Sequence, residues 1–183
     1  MKCSSLVITF LLITLALSAR GFDGERKGLV LSAGFGFAPL IKTSSGFLEA
    51  NNSGSGQHFL IGYAWDNSNI IGFEGNTSIA RDYEAKINGQ IDKYYGLTLT
   101  QGFGGVTWNH YFGSIGKSIF STTRIGLYDY GFMTSNGNDA GLGAIVGGGY
   151  EFLRHWQAGI YFSFGSINLD NSNLNLLISA AAF

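Results

Sequence analysis

Cysteine is almost absent from this chain. Its 183 residues hold one, Cys3, which leaves no disulfide and no thiolate metal site. Proline also occurs once, and charged residues make up 13%, about half the roughly 25% of ordinary soluble domains. The formal net charge is −1, which argues against nucleic acid as a partner, since phosphate recognition needs a basic face. Beyond residue 20 no apolar run reaches the ~18 residues of a membrane helix. What is abundant is glycine (28), phenylalanine (15) and tyrosine (nine), with 45% hydrophobic residues in all. That content excludes disorder, and the length suits one domain.

The first nineteen residues read as an address. Lys2 supplies a positive start, Leu6 to Leu17 form an apolar core broken only by Thr9 and Thr14, and the small residues Ser18 and Ala19 follow. This is the pattern of a cleavable signal peptide. The stretch is too short for a membrane anchor, and Cys3 lies too early to be a lipidated cysteine. The expected organisation is a signal peptide over 1–19 and one domain over 20–183.

The domain reads as eight strands, at about 28–38, 56–66, 69–81, 94–112, 118–132, 139–153, 155–167 and 173–183, each rich in aromatic and β-branched residues. Phe59, Ile61, Tyr63 and Trp65 alternate with His58, Leu60, Gly62 and Ala64, and Trp156, Ala158, Ile160, Phe162 and Phe164 with Gln157, Gly159, Tyr161 and Ser163. Three connections are short: Asp66–Asn69, Phe112–Ser118 and the neighbourhood of Arg154. Four are longer and polar: 39–56, 82–93, 132–139 and 167–173. Long and short alternate, which sorts all long loops to one end. A soluble sandwich has no reason to do this. A transmembrane barrel does, with short turns on one side of the membrane and longer loops on the other.

Charge placement agrees. Apart from Asp66, Arg81 and Asp139 at strand ends, only Glu74, Arg124, Asp129 and Glu151 are charged within strands, as expected where a charge on the lipid face costs about 2–4 kcal/mol at the midplane. Glu74, Arg124 and Glu151 have the parity of the interior and are expected to form one salt-bridged plug, with an ion path as the functional alternative. Tyr63, Trp65, Trp108, Tyr111, Phe112, Phe152 and Trp156 are expected in one aromatic girdle, and Phe35, Phe37, Tyr128, Tyr130, Phe132, Phe162 and Phe164 in the other. In the fourth strand Leu97 and Leu99 share one parity while Val106, Trp108 and Phe112 share the other, so a bulge near Gly104-Gly105 is expected. The last strand is apolar or small on both parities, which leaves its register open.

Several motifs carry no chemistry. Gly113-Ser-Ile-Gly116-Lys117-Ser118 looks like a phosphate loop but has Tyr111 where the first glycine belongs, and it lies between strands. Glycines 141, 143, 147, 148 and 149 precede no helix, and on an inner face they leave room for large neighbours such as Tyr161. His58, His110 and His155 lack metal spacing. No metal, cofactor or catalytic residue is expected.

The stretch Gly141-Leu-Gly-Ala-Ile-Val-Gly-Gly-Gly-Tyr-Glu-Phe, followed after a short turn by Trp156-Gln-Ala-Gly-Ile-Tyr-Phe, resembles the late hairpin of small bacterial outer-membrane barrels of the OmpA-transmembrane, OmpX and opacity-protein group. The terminal Phe183 resembles the signal read by the barrel-assembly machinery, with Leu177, Ser179 and Ala181 at the expected apolar positions. The resemblance implies an all-β, eight-stranded antiparallel up-and-down barrel in a bacterial outer membrane, a monomer in contact with outer-membrane lipid. Outer-membrane barrel enzymes that act on lipid A keep a histidine and a serine in reach, but no His-x-Ser occurs here. His58 with Ser78, or His110 with Ser118, would meet only by accident of register.

The expected function is therefore a non-catalytic barrel whose extracellular loops 39–56 and 82–93 contact host or envelope surface molecules through Phe47, Leu48 and Tyr83. A small passive channel is the alternative, and a lipid-modifying enzyme a third reading. If 1–19 is a signal peptide, protein extracted from the envelope begins near Arg20 on N-terminal sequencing. A Met1 terminus on the same material overturns that reading.

Overall fold

The computed structural model describes residues 25–44, 48–132, 139–166 and 170–183. It contains eight strands, β1 (Gly28–Ser44), β2 (Leu48–Ala64), β3 (Asn69–Ile87), β4 (Gln90–Tyr111), β5 (Ser118–Phe132), β6 (Asp139–Leu153), β7 (Trp156–Ser166) and β8 (Asp170–Ala182). Each pairs antiparallel with its neighbours in sequence, and β1 pairs with β8 to close the barrel. Closure leaves no free sheet edge around the girdle, where no water would satisfy one.

Alternation decides which face each residue takes. Outward positions are apolar and open: Phe35 is 69% exposed, Ile125 68% and Leu142 75%. In water such a surface would be unstable, so lipid is its solvent. Inward positions are small or polar and closed. Tyr161 and Tyr128 fill the space because glycines face them: a Cβ at Gly159 would lie 2.6 Å from the Tyr161 hydroxyl, and one at Gly165 would lie 2.6 Å from the Tyr128 ring.

The fourth strand departs from expectation. Its pairing with β5 runs without a shift from Leu99↔Phe132 to Tyr111↔Phe120, so no bulge lies at Gly104-Gly105. Leu99, Phe103 and Tyr111 point inward while Val106 and Trp108 point to lipid. Both parities are apolar because the interior itself carries apolar residues there. The same cause moves Tyr111 and Tyr128 from the aromatic girdles into the lumen, where they are buried. In β8 the apolar outward set is Leu174, Leu176, Ile178 and Ala180, whereas Leu177, Ser179 and Ala181 face inward. The pairing Phe35↔Ile178 with β1 sets this register.

Strand length departs further. The segments 39–56 and 82–93 are not irregular loops. The first continues β1 to Ser44 and begins β2 at Leu48; the second extends β3 to Ile87 and opens β4 at Gln90. Asn88 (φ 48°) and Gly89 (φ 87°) make the connecting two-residue turn, a conformation that suits Asn-Gly. Bulges interrupt the pairing at Ala38/Ile41 and at Arg81/Tyr83. Pro39, the single proline, lies in the first, where a missing N–H costs no ladder bond. Asp82, with φ 53°, lies in the second.

Above these bulges the outward residues turn polar. Along β3, Ile71 and Phe73 give way to exposed Arg81, Glu84 and Lys86; along β2, exposed Gln57 to Glu49 replace Phe59 to Tyr63. The upper parts of β1 to β4 thus form a raised sheet above the apolar girdle. Gln90 lies nine residues beyond Leu99, the last β4 residue paired with β5, so the β3–β4 arm rises about 30 Å along its strands.

At the opposite end the turns are tight. Asp66 accepts from the Ser68 and Asn69 amides, both at 2.7 Å, and these bonds, led by the Asn69 side chain, hold its carboxyl below the ordinary value. The glycine-lysine motif is a turn bridged between Ser114 and Lys117, with Gly116 at φ 81°.

A closed hydrogen-bonded ladder resists detergent until heated. Unheated and boiled samples should migrate differently on a denaturing gel, whereas identical migration with release by alkaline carbonate would contradict closure.

Candidate functional site: the lumen and the raised sheet

The lumen is filled in three tiers. At the short-turn end Arg26, in the segment before β1, turns inward and is fully buried. Its Nη2 lies 2.6 Å from Glu151 Oε2 on β6, and its guanidinium sits 3.6 Å above the Tyr111 ring and 5.6 Å from the Phe183 ring. It also donates to the Asn67 carbonyl. Glu151 takes a second bond from the Gly116 amide at 2.7 Å. Phe183 is buried and stacks near His155 at 5.1 Å, so the terminal aromatic closes the base of the finished barrel.

At mid-height Arg124 Nη1 on β5 lies 2.7 Å from Glu74 Oε1 on β3. The same oxygen meets His58 Nδ1 at 2.8 Å, and His58 Nε2 meets Ser179 Oγ at 2.7 Å. An ionised carboxylate only accepts, so Nδ1 donates to it and a neutral ring accepts at Nε2 from the serine hydroxyl. The Arg124 guanidinium lies 4.6 Å from the Tyr161 ring centroid.

The upper tier is neutral. Tyr128 donates to Gln101 Oε1 at 2.7 Å and receives Asn173 Nδ2 at 2.8 Å. Gln101 Nε2 reaches Thr43 at 3.0 Å, and Asn175 bonds Ser78 at 3.0 Å. Asn171, Asn173 and Asn175 alternate along β8, so their side chains share the inner face and cross-link the lumen.

Of the three interior charges read from the sequence, the structure joins Glu74 with Arg124 and gives Glu151 a different cation, Arg26. Two separate pairs replace one network. Arg26 precedes the first strand, and nothing in the alternation of a residue outside the strands signals burial. Ser179 was likewise missed: it lies 121 residues from His58, and only the β8–β1–β2 register brings them together. The Ser179–His58–Glu74 order has the form of a hydrolytic relay, but the serine is 1% exposed and packed on every side, which leaves no room for a substrate. Among the described residues no cluster of side chains has the makings of a metal site.

Of the expected contact residues, Phe47 lies outside the described residues. Leu48 and Tyr83 lie in β2 and β3 of the raised sheet, and their side chains fall outside the described set. Among the described side chains of β4's upper part, Ile91 and Tyr95 are exposed apolar groups, at 67% and 76%. Around them Lys93 pairs with Glu84 at 2.6 Å, which holds its ammonium group above the ordinary value.

No protein-family model and no curated protein matches this chain. Solved structures do. The attachment invasion locus protein Ail of Yersinia pestis, in complex with the heparin analogue sucrose octasulfate, aligns with a TM-score of 0.54 and 10% identity over 85% of this chain and 99% of its own. Neisserial surface protein A aligns with a TM-score of 0.54 and 15% identity over 90% of this chain and 100% of its own. The fold is that of the small eight-stranded outer-membrane barrels.

Removing one member of a buried pair strands the other, at a cost of about 3–5 kcal/mol. Arg124→Ala should therefore lower the midpoint of the heat-induced gel shift strongly, and Lys117→Ala at the exposed turn hardly at all. Equal shifts would place Arg124 in water.

Proposed function

We propose that the protein is a non-catalytic outer-membrane barrel whose raised sheet contacts molecules at the cell surface, on the host or in the envelope. One observation carries this reading. The chain extends β3 and β4 about nine residues beyond the last pair that barrel closure uses, and it places solvent-exposed Ile91 and Tyr95 there. Residues that only closed a barrel would end in a turn at its rim. Lipid of the outer membrane surrounds the girdle, and export by a signal peptide with insertion by the assembly machinery would deliver the protein as a monomer. That the Yersinia protein was crystallised with a heparin analogue accords with surface contact in this fold.

The filled lumen favours a scaffold over the alternative of a small passive channel. Arg26 is paired with Glu151, Arg124 with Glu74 and Asn173 with Gln101, all buried in the lumen, an interior filled by side chains rather than lined for a solute. Single-channel recordings should be silent, and a steady conductance would make the channel the better reading.

Excising 82–97 and joining Arg81 to Thr98 through an Asn-Gly turn keeps the register pair Arg81↔Thr98. The shortened chain should still show the heat-dependent gel shift. Its cells should lose adhesion to host cells and extracellular matrix relative to cells bearing the full chain. Adhesion that survives the excision moves the function away from the arm.

A further inference from the structure

We propose that the outward-facing row Asn69, His110 and Ser121, at the short-turn rim of the girdle, holds the primary ammonium group of an ethanolamine glycerophospholipid from the leaflet on that side. This goes beyond the surface-contact reading and stands apart from it.

The row is built by register. Asn69 pairs with His110, and His110 with Ser121, across β3, β4 and β5. Alternation puts His110 on the same face as Trp108 and Phe112, and Ser121 on the face of Ile119, all three of them exposed outward. Gly148 follows Ser121 in the row and adds no side chain, so the row is a polar notch between protruding apolar groups. His110 is one residue from the end of β4 at Tyr111. That places it at the depth of the headgroups, where the aromatic belt of a membrane protein lies.

Hydrogen bonding fixes what the notch offers. Asn69 Nδ2 lies 3.1 and 3.0 Å from the two Asp66 carboxylate oxygens. The amide therefore turns its nitrogen to Asp66 and its oxygen to the wall. That oxygen accepts from the Trp108 indole at 3.1 Å and meets His110 Nδ1 at 2.9 Å. Facing an acceptor, Nδ1 carries the hydrogen, and a neutral ring then keeps a lone pair at Nε2. Among the described residues neither Nε2 nor the Ser121 hydroxyl has a hydrogen-bond partner.

The surroundings select the occupant. The Phe112 and Trp108 rings flank His110 at 4.6 and 6.0 Å between centroids, and aromatic rings attract a cation. The charge at the end of the bonded chain, Asp66, is negative. A phosphate would bring only acceptors to a lone pair. A quaternary ammonium would bring the charge but no N–H. The primary ammonium of an ethanolamine headgroup brings both, one N–H for Nε2 and another for Ser121 Oγ. Its acyl chains would run up the apolar wall past Val106 and Ile125, which are exposed outward.

The test uses the full chain in maltoside micelles. NMR follows the ring nitrogens of its three histidines, with His110 assigned by its loss in His110→Gln. Dioleoylphosphatidylethanolamine should shift His110 Nε2 saturably and leave the buried His58 in place. Dioleoylphosphatidylcholine, which differs only by its N-methyl groups, should not, and neither should free ethanolamine at the same concentration. In competition read by native mass spectrometry, the unaltered chain should prefer the ethanolamine lipid over the choline lipid by at least about tenfold. His110→Phe keeps an aromatic wall and deletes the lone pair, so the preference should fall to within about twofold. Ser121→Ala should lower it only about two- to threefold. If His110→Phe loses the heat-dependent gel shift, the comparison of the two lipids on the unaltered chain still decides. The proposal is overturned if His110 does not respond to the ethanolamine lipid, if the choline lipid or free ethanolamine shifts it equally, or if folded His110→Phe keeps the full preference.

Discussion

Everything in this molecule follows from a backbone that must satisfy its own hydrogen bonds where no water reaches. In hydrocarbon each unpaired amide or carbonyl is costly, so the sheet has to close on itself. Closure between β1 and β8 then creates an interior that lipid cannot enter. That interior must be filled by side chains that also satisfy one another. The apolar outside and the bonded, partly charged inside are two answers to one constraint.

The interior answers it differently at each height. At the base a cation from outside the strands, Arg26, is drawn in to neutralise Glu151 and to cover the ring of Tyr111. At mid-height Glu74 serves both Arg124 and His58 through one oxygen. Above them neutral amides suffice, with Asn173 and Gln101 bridging opposite walls through Tyr128. A carboxylate in the lumen without a cation would be strongly disfavoured. The pairs therefore act as fixed cross-braces, and the relay formed by Ser179, His58 and Glu74 is better understood as bracing than as chemistry.

Once the strands leave the girdle the constraint relaxes, because water can satisfy an edge. The raised sheet shows the result. It keeps its ladder on β1 to β4, its outward face becomes polar above Phe59 and Ile79, and among the described residues β4 beyond Leu99 pairs with β3 alone. The freedom to leave an edge unpaired exists only where water can reach it.

The number of strands, their order, their antiparallel sense and the faces taken by Phe59, Phe162 or Glu74 were all legible in the chain, because lipid enforces a strict alternation that composition cannot hide. The pairing of Glu74 with Arg124 was within reach for the same reason: charges of interior parity must meet. The remainder was decided by tertiary structure. The partners Arg26–Glu151 and Ser179–His58 depend on a closure that joins residues 125 and 121 positions apart, and local pattern carries no record of that. Tyr128 turned inward where Gly143 and Gly165 leave space for its ring, and Tyr111 where the Arg26 guanidinium covers its ring, both of them properties of the packed lumen. The segments 39–56 and 82–93 read as loops because strands standing in water need no apolar face. Their ladder is visible only in the register that β2, β3 and β4 impose on one another.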